Sequence, residues 1–276
     1  MPELPEVQTV VNDLQSAGLI GKTISGAQVF WPRTVAALTP EEFCRKISGQ
    51  IVKTLWRRAK FIVFDFIDPL HLFIHLRMSG RLHLTSPDEP RQKHEHLILD
   101  FDDGRQLRFH DTRKFGRMYL VENPEQVIGA LGPEPLDPAF TPVLLAERLQ
   151  ARQRLLKPLL LDQTFLAGLG NIYVDEALWE ARLHPQRLSS SVSVAEAQAL
   201  HQAIQNVLHR GLKNLGTTLG TGKANFYSVS RREGRNKDEL HVFRRASLPC
   251  PRCQTIIARI VVGQRSTHIC PACQTL

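Results

Sequence analysis

The hydrophobic period switches from strand to helix part-way along this chain, and that change limits the folds open to it. From about residue 23 to 120 apolar residues alternate as strands require. In LFIHLRM, Leu72, Ile74, Leu76 and Met78 fall on one face, with Phe73, His75 and Arg77 on the other. LILDF and QLRFH flank Asp102-Asp103-Gly104, a hairpin signal. No long helical pattern alternates with these strands, which argues for an antiparallel sandwich and against a parallel α/β sheet. A helix is predicted ahead of them, near Pro5, from the spacing of Val7, Val10, Val11 and Leu14. Beyond the proline-rich GPEPLDPAFTP (132–142) the period becomes helical. Ser193 and Glu196 form a capping box ahead of apolar positions 197, 200, 204, 207 and 208.

The chain is long enough for more than one domain. The expected organisation is multidomain α+β, with an N-terminal antiparallel β-sandwich and flanking helix over 1–131 and a linker over 132–142. A helical domain over 143–240 and a metal-held hairpin over 241–276 complete it. The first residues carry neither a basic nor an apolar leader segment, and the longest apolar runs, such as FIVF, are too short to span a bilayer. These features lead to the expectation of an intracellular protein without membrane contact.

The formal charge is +8, and it is unevenly placed. Between Arg210 and Arg265 twelve Lys/Arg face three acids, and WRRAK (56–60) adds a second basic cluster. Such clustering favours a polyanionic partner, most simply nucleic acid, over a merely solvated surface. Of five cysteines, four form Cys250-Pro-Arg-Cys253 and Cys270-Pro-Ala-Cys273. Two CxxC pairs at this distance offer four thiolates to one tetrahedral ion, so one structural zinc is expected; disulfides or a redox pair are the alternatives. Cys44 is left as a packing residue. FLAGLGNIYVDEAL joins two short helical patterns through Gly168, Gly170 and Asn171. Asn171 is expected to cap the second helix, whose N-terminus would suit a phosphate.

MPELPEV at the start, RRAKF, HLRMSG, DTRKFG, GLGNIYVDEAL, GTTL and a terminal zinc ribbon carrying QRST occur in one order. Together they resemble the formamidopyrimidine-DNA glycosylase family over essentially the whole chain. The resemblance implies a β-sandwich, a helix-two-turn-helix domain and a zinc-ribbon hairpin, with DNA in a basic cleft. It implies a monomeric, bifunctional enzyme of the bacterial cytoplasm and nucleoid that excises oxidised purines from double-stranded DNA and nicks abasic sites. It assigns the nucleophile to the amine of Pro2, general acid/base work to Glu3 and support to Glu6. Lys60 and Arg265 are assigned to phosphates and the eliminations. His75, His94, Arg113, Arg152, Lys157, Asn171 and Tyr173 are implied near DNA. Met78, Arg113 and Phe115 are implied to fill the space left by the flipped nucleotide. Cys250, Cys253, Cys270 and Cys273 hold the zinc.

Three features depart from the family pattern. Arg77 and Gly220 stand where glycine and lysine are usual, and the loop after GTTL lacks the residues usually associated with gripping the flipped base. An endonuclease VIII-like glycosylase for oxidised pyrimidines and a non-catalytic zinc-ribbon DNA-binding protein are therefore the rival readings.

Overall fold

Glu3 stands at the start of α1 (Leu4–Ser16), with Pro5 inside its first turn, where a missing amide proton costs nothing. The buried stripe Val7, Val10, Val11 and Leu14 faces the core, as the spacing requires. The computed structural model describes residues 1–220 and 226–276 and divides into two units. The first is Met1–Ala130 with Asn214–Arg235; the second is Leu131–Lys213 with Asn236–Leu276. Residues 214–235, grouped with the helices in the sequence reading, thus return to the first unit. Lys223 of the basic run, and the part of the GTTL loop at 221–225, lie outside the described residues.

In the first unit α1 is followed by β1 (Ile24–Val29), β2 (Val35–Ala36), α2 (Pro40–Ile47) and β3 (Val52–Arg58). Then come β4 (Phe61–Phe66), β5 (His71–His75), β6 (Gly80–Thr85), β7 (Glu95–Phe101), β8 (Gln106–Asp111), β9 (Arg117–Val121) and the short α3 (Glu125–Ile128). Two sheets form, ordered β2-β9-β5-β4-β3 and β1-β7-β8-β6. Pairing is antiparallel except for the short β2–β9 ladder. Both sheets and α1 share one core, in which Phe64, Leu72 and Ile74 join Leu82, Leu99, Phe109 and Val10. This is the expected sandwich. The alternation in LFIHLRM, however, stops at His75. Arg77 takes φ of 54°, the chain turns, and Met78 is left exposed rather than on the core face.

The outer face of the β1-β7-β8-β6 sheet carries charge inside the fold. Arg108 pairs with Glu95 at 3.3 Å, both side chains nearly inaccessible, and also donates to Gln106 and to the carbonyls of Ser86 and Glu89. His83 and His110 lie on this face with ring centroids 6.1 Å apart. Burial, then the charge of Arg81, pushes both imidazoles down to about 4.

The second unit contains α4 (Pro142–Gln150), α5 (Leu156–Leu161), α6 (Asn171–Glu180), α7 (Val194–Lys213) and the hairpin β10 (Ala258–Val262) and β11 (Arg265–Ile269). Thr141 caps α4, accepting from the Leu144 amide, with Pro142 at the first helical position. The Ser193–Glu196 box is present, and Ala197, Leu200, Ile204, Val207 and Leu208 are buried as expected. The proline-rich segment is no free tether. Gly132 N donates to Gln163 O, Ala167 N to Pro133 O, and the side chains of Gln205 and His201 donate to the carbonyls of Pro135 and Phe140.

The histidines make folding of the first unit acid-sensitive. An imidazole whose folded pKa lies below its ordinary value of about 6.5 binds fewer protons than the unfolded chain between those limits. Stability is therefore complete above about pH 6.5 and is lost as pH falls toward 4. The urea midpoint of the parent protein should drop between pH 7 and 5, and His110→Gln should flatten that drop. Equal slopes for the two proteins would refute the assignment.

Candidate functional site

The first residues of the chain are held, not frayed. Pro2 is buried, as are Glu3 and Glu6. One Glu6 oxygen accepts the Glu3 amide at 2.8 Å; the other accepts the Thr217 amide at 2.7 Å. Gly216 has φ of 84°, and a β-carbon there would lie 2.8 Å from the Glu6 side chain, so only glycine lets GTTL approach this closely. Two helical turns further along the same face, Asp13 accepts the Ser230 amide at 3.0 Å and pairs with Arg232. Burial raises the Asp13 pKa, but hydrogen bonds from Ser228 and Ser230 and the Arg232 charge outweigh it and hold the carboxyl below its ordinary range. Two acids seven residues apart on α1 thus pin both ends of the 214–235 return. Asp13 was not singled out from the sequence.

Lys60 lies in the two-residue turn between β3 and β4, after Ala59 at φ of 53°. It is largely buried and close enough to His75 for its charge to act there. Burial first, then the charges of Arg77 and Lys60, push His75 down to about 3. Its Nδ1 accepts the Arg77 amide at 3.0 Å. His75 is therefore neutral, with the proton on Nε2. Arg77 meets its position at a cost, because φ of 54° is where glycine is unstrained.

Met78 is 43% exposed and Phe115 48%, high for such side chains. Their loops are joined by Asp111, which is fully buried. Asp111 accepts Ser79 Oγ, the Arg113 amide and the Gly116 amide at 2.7 Å; Ser79 Oγ in turn accepts the Arg113 amide. The Arg113 guanidinium lies over the Phe115 ring at 4.9 Å. Met78, Arg113 and Phe115 thus stand on two loops tied together by one carboxylate. Ser79 and Asp111 were missed because neither bears chemistry of its own. His94 is half-buried, its carbonyl accepting the Asp111 amide.

In the second unit burial differs among the residues implied near DNA. Arg152 and Arg265 are exposed. Arg265 follows a two-residue turn in which Gly263 and Gln264 both have positive φ, and a β-carbon on Gly263 would meet Pro158 at 2.7 Å. Lys157 does not reach the surface. It is 0% exposed, its ammonium 2.6 Å from Asp175 and 3.0 Å from Ser266 O. Its ammonium is thus engaged inside the unit, where it fixes β11 to α6. Tyr173 is 1% exposed, so its side chain serves the interior. Nor does Asn171 cap α6. Gly170 occupies the cap position, and Asn171 donates from Nδ2 to Ser266 O at 3.0 Å. Asp175 also accepts the His268 amide at 3.0 Å. Neighbouring Glu176 accepts the amides of His241, Val242 and Phe243, each at 2.9 Å. Beside Asn171 a cavity of about 620 Å³ is bordered by Arg244, Arg259 and Ser266, without a carboxylate in its lining.

The four cysteine Sγ atoms lie within 4.8 Å of one another. Cys253 is 3.4 Å from both Cys270 and Cys273, and Cys250 is 4.0 Å from Cys273. A tetrahedral shell with bonds of about 2.3 Å places its sulfurs about 3.8 Å apart, so the set fits zinc. As bare thiols the set cannot ionise together. Hydrogen bonds from Thr255 draw Cys253 down to about 6, while burial and the neighbouring sulfurs push Cys273 up to about 12. A divalent cation removes that conflict. Trp179 donates from Nε1 to Cys250 Sγ at 3.4 Å, stacks on His241 at 4.5 Å, and carries Arg252 on its face at 4.1 Å.

Family models match in the order the structure requires. The formamidopyrimidine-DNA glycosylase N-terminal domain covers residues 1–118, its H2TH domain 131–222, and the zinc finger found in FPG and IleRS 247–276. The formamidopyrimidine-DNA glycosylase of Protochlamydia amoebophila is 48% identical over 274 residues, 99% of each chain. The chain belongs to the formamidopyrimidine-DNA glycosylase family. Its counterpart in Chloroflexus aurantiacus is 45% identical, covering 99% of this chain and 98% of the relative. A Lactococcus lactis FPG mutant complexed with Fapy-dG-containing DNA superposes with TM-score 0.91 at 36% identity, covering both chains fully. The Lactococcus lactis Fpg complex with abasic-site DNA gives 0.90 at 35%, covering 99% of this chain and all of that one. The glycosylase carries one structural zinc in its four-cysteine site, with every coordination position filled by protein.

Two outcomes test this unit. Lys157→Met leaves the Asp175 carboxylate buried without its cation and should cost about 3–5 kcal/mol, much of it recovered by adding Asp175→Asn; thermal unfolding of the three proteins measures it. Cys270→Ser should abolish stoichiometric zinc and, with the hairpin disordered, DNA binding. A zinc-free variant binding DNA at parental affinity would contradict the structural role.

Proposed function

We propose that this glycosylase excises oxidised purines, 8-oxoguanine and formamidopyrimidines among them, from duplex DNA through the amine of Pro2, exposed once Met1 is removed. It then cleaves the abasic site by β- and δ-elimination. One observation carries the assignment of the nucleophile. Chain termini ordinarily fray, yet Pro2 and Glu3 are buried and Glu6 is bound to two main-chain amides. A terminus fixed this firmly has a use at a defined position.

A chain-terminal amine has an ordinary pKa of about 7.7–8.0 against about 10.4 for lysine, so far more of it is neutral near pH 7. The Pro2 nitrogen pair bonds to C1′ of the sugar, and the glycosidic C–N bond breaks, the base leaving with that electron pair and a proton. Because the amine is secondary, loss of the ring oxygen from C1′ yields an iminium, charged without any proton. That charge acidifies C2′. Removal of a C2′ proton sends electrons toward the iminium and expels the 3′ phosphate; a second elimination expels the 5′ phosphate. Glu3 passes protons to and from the sugar. Glu6 fixes the helix start that carries both residues.

Lys60 and neutral His75, an N–H donor, hold phosphates beside the lesion, and Arg265 holds those linked to the second elimination. His94, Arg152 and Asn171 serve the backbone. Extruding a nucleotide costs a few kcal/mol of stacking and pairing. The Met78 thioether and Phe115 ring replace the lost stacking, and Arg113 bonds the orphaned base. The zinc orders the hairpin presenting Arg265 and takes no part in the chemistry. No helix among the described residues is long and apolar enough to cross a membrane. We place the protein, as a monomer, in the bacterial cytoplasm on nucleoid DNA.

Borohydride trapping of untagged protein, on duplexes carrying 8-oxoguanine, an oxidised pyrimidine or a plain abasic site, tests the reading. The expected adduct is covalent, at Pro2, on the 8-oxoguanine and abasic duplexes, and an N-terminal tag abolishes it. Adduct on the pyrimidine and abasic duplexes alone would move the substrate to the endonuclease VIII-like class. No adduct at all would leave a DNA-binding protein.

A further inference from the structure

Beside the loop that carries Arg113 and Phe115, cations are stored on aromatic faces rather than against carboxylates. The Lys114 ammonium sits 3.8 Å from the centre of the Trp31 ring, and the Arg91 guanidinium 4.1 Å from that of Phe30. The two platforms are adjacent in sequence and share one anchor, for the amides of Phe30 and Trp31 both donate to His96 O, at 2.9 and 3.3 Å. His96 Nε2 donates to Asp111 O at 2.8 Å, and Asp111 N donates to His94 O at 2.9 Å. The ends of β1, β7 and β8 are thus sewn into one ledge that continues directly into the Arg113–Phe115 loop.

Among the described residues, Lys114 and Arg91 have no ion pair. The neighbouring carboxylates are engaged elsewhere, Glu95 with Arg108 and Glu89 with Arg231. Within the described residues Arg91 donates only to the main-chain carbonyl of Glu95, at 3.1 Å. A cation over a ring is held in place yet keeps its outward field, which is the arrangement a fixed anion requires. Lys114 is exposed, and its backbone takes φ of 59°, which throws its side chain aside from those of its neighbours.

We propose that Lys114 on Trp31 and Arg91 on Phe30 bind consecutive phosphates of the intact strand, the one opposite the lesion. The inference rests on the proposed function. Arg113, next in the chain, is there assigned to the orphaned base, and that base belongs to the intact strand. A backbone contact from the adjoining ledge would hold this strand while its partner nucleotide is extruded.

The test uses a duplex with an uncleavable tetrahydrofuran abasic analogue, with uncharged methylphosphonates placed near the lesion in either strand. Each of Lys114→Gln and Arg91→Gln should lower the magnitude of the log Kd against log salt slope by about 0.9, one phosphate's worth. Lys114→Arg should keep it. The loss should vanish when the intact strand already carries methylphosphonates and persist when only the damaged strand does. An unchanged slope, or a loss cancelled by neutralising the damaged strand, would overturn the proposal. Borohydride trapping by the parent protein on a true abasic duplex is read alongside. Its failure strikes the enzymatic reading, whereas a normal adduct with an unchanged slope strikes the ledge alone.

Discussion

A buried carboxylate accepting main-chain amides is the interaction on which the functional parts of this protein rest. Glu6 binds the amides of Glu3 and Thr217, Asp111 those of Arg113 and Gly116, Asp175 that of His268, and Glu176 those of residues 241–243. A carboxylate suits the role because it has no proton to place and two oxygens to share among several donors. Each charge-assisted bond contributes about 1.5–3 kcal/mol, and leaving such an acid without its donors costs more. The contacts are directional, so they fix the path of a loop, where apolar burial would fix only its depth.

That distinction matters because several side chains assigned to DNA, Met78 and Phe115 among them, stand in water. Met78 and Phe115 bury too little surface to hold themselves in place. Their loops are irregular, and the hydrogen bonds to Asp111 tie the two together. The same holds in the second unit, where β11 is fixed to α6 by Asp175 with Lys157, and where Glu176 directs the chain toward the first cysteine pair. Zinc then closes what the acids began. Four thiols with conflicting acidities become one rigid knot, with Trp179 donating to Cys250 from the helical side.

What could be read from sequence follows the range of the contacts. α1, the strands, α7 and the cysteine site were legible because each is written in a local period or spacing. Asp111, Asp175 and Glu176 were not, since a lone acid in a strand or helix has no signature until its partners, up to about ninety residues away in the chain, are known. Lys157 shows the converse. The family resemblance implies a place near DNA for it, and its pairing with the buried Asp175 has no local sequence signature. Asn171 looked like a helix cap because asparagine commonly caps; Gly170 takes that place, and the asparagine amide spans to the hairpin instead. The return of 214–235 to the first unit depends on Glu6 and Asp13, two acids that a helix start and an exposed face would equally explain.

Backbone strain marks the same positions from another direction. Ala59, Arg77, Lys114 and Gln264 all have φ between 53° and 60°, in the left-handed region that costs a β-carbon residue about 1–2 kcal/mol. Each immediately precedes a residue assigned to the substrate: Lys60, Met78, Phe115 and Arg265. A left-handed residue reverses the chain in one step, which ends a strand abruptly and turns the next side chain away from the sheet. Glycine would adopt the conformation without strain, but would also leave the loop free to adopt others. A residue with a β-carbon has fewer alternatives, so strain in the folded state is offset in part by entropy the unfolded chain never had. Arg77 and Lys114 add positive charge at the same places, next to Met78 and Phe115. The departure from glycine at position 77 is intelligible on these terms. It trades local ease for a stiffer loop and one more cation beside Met78.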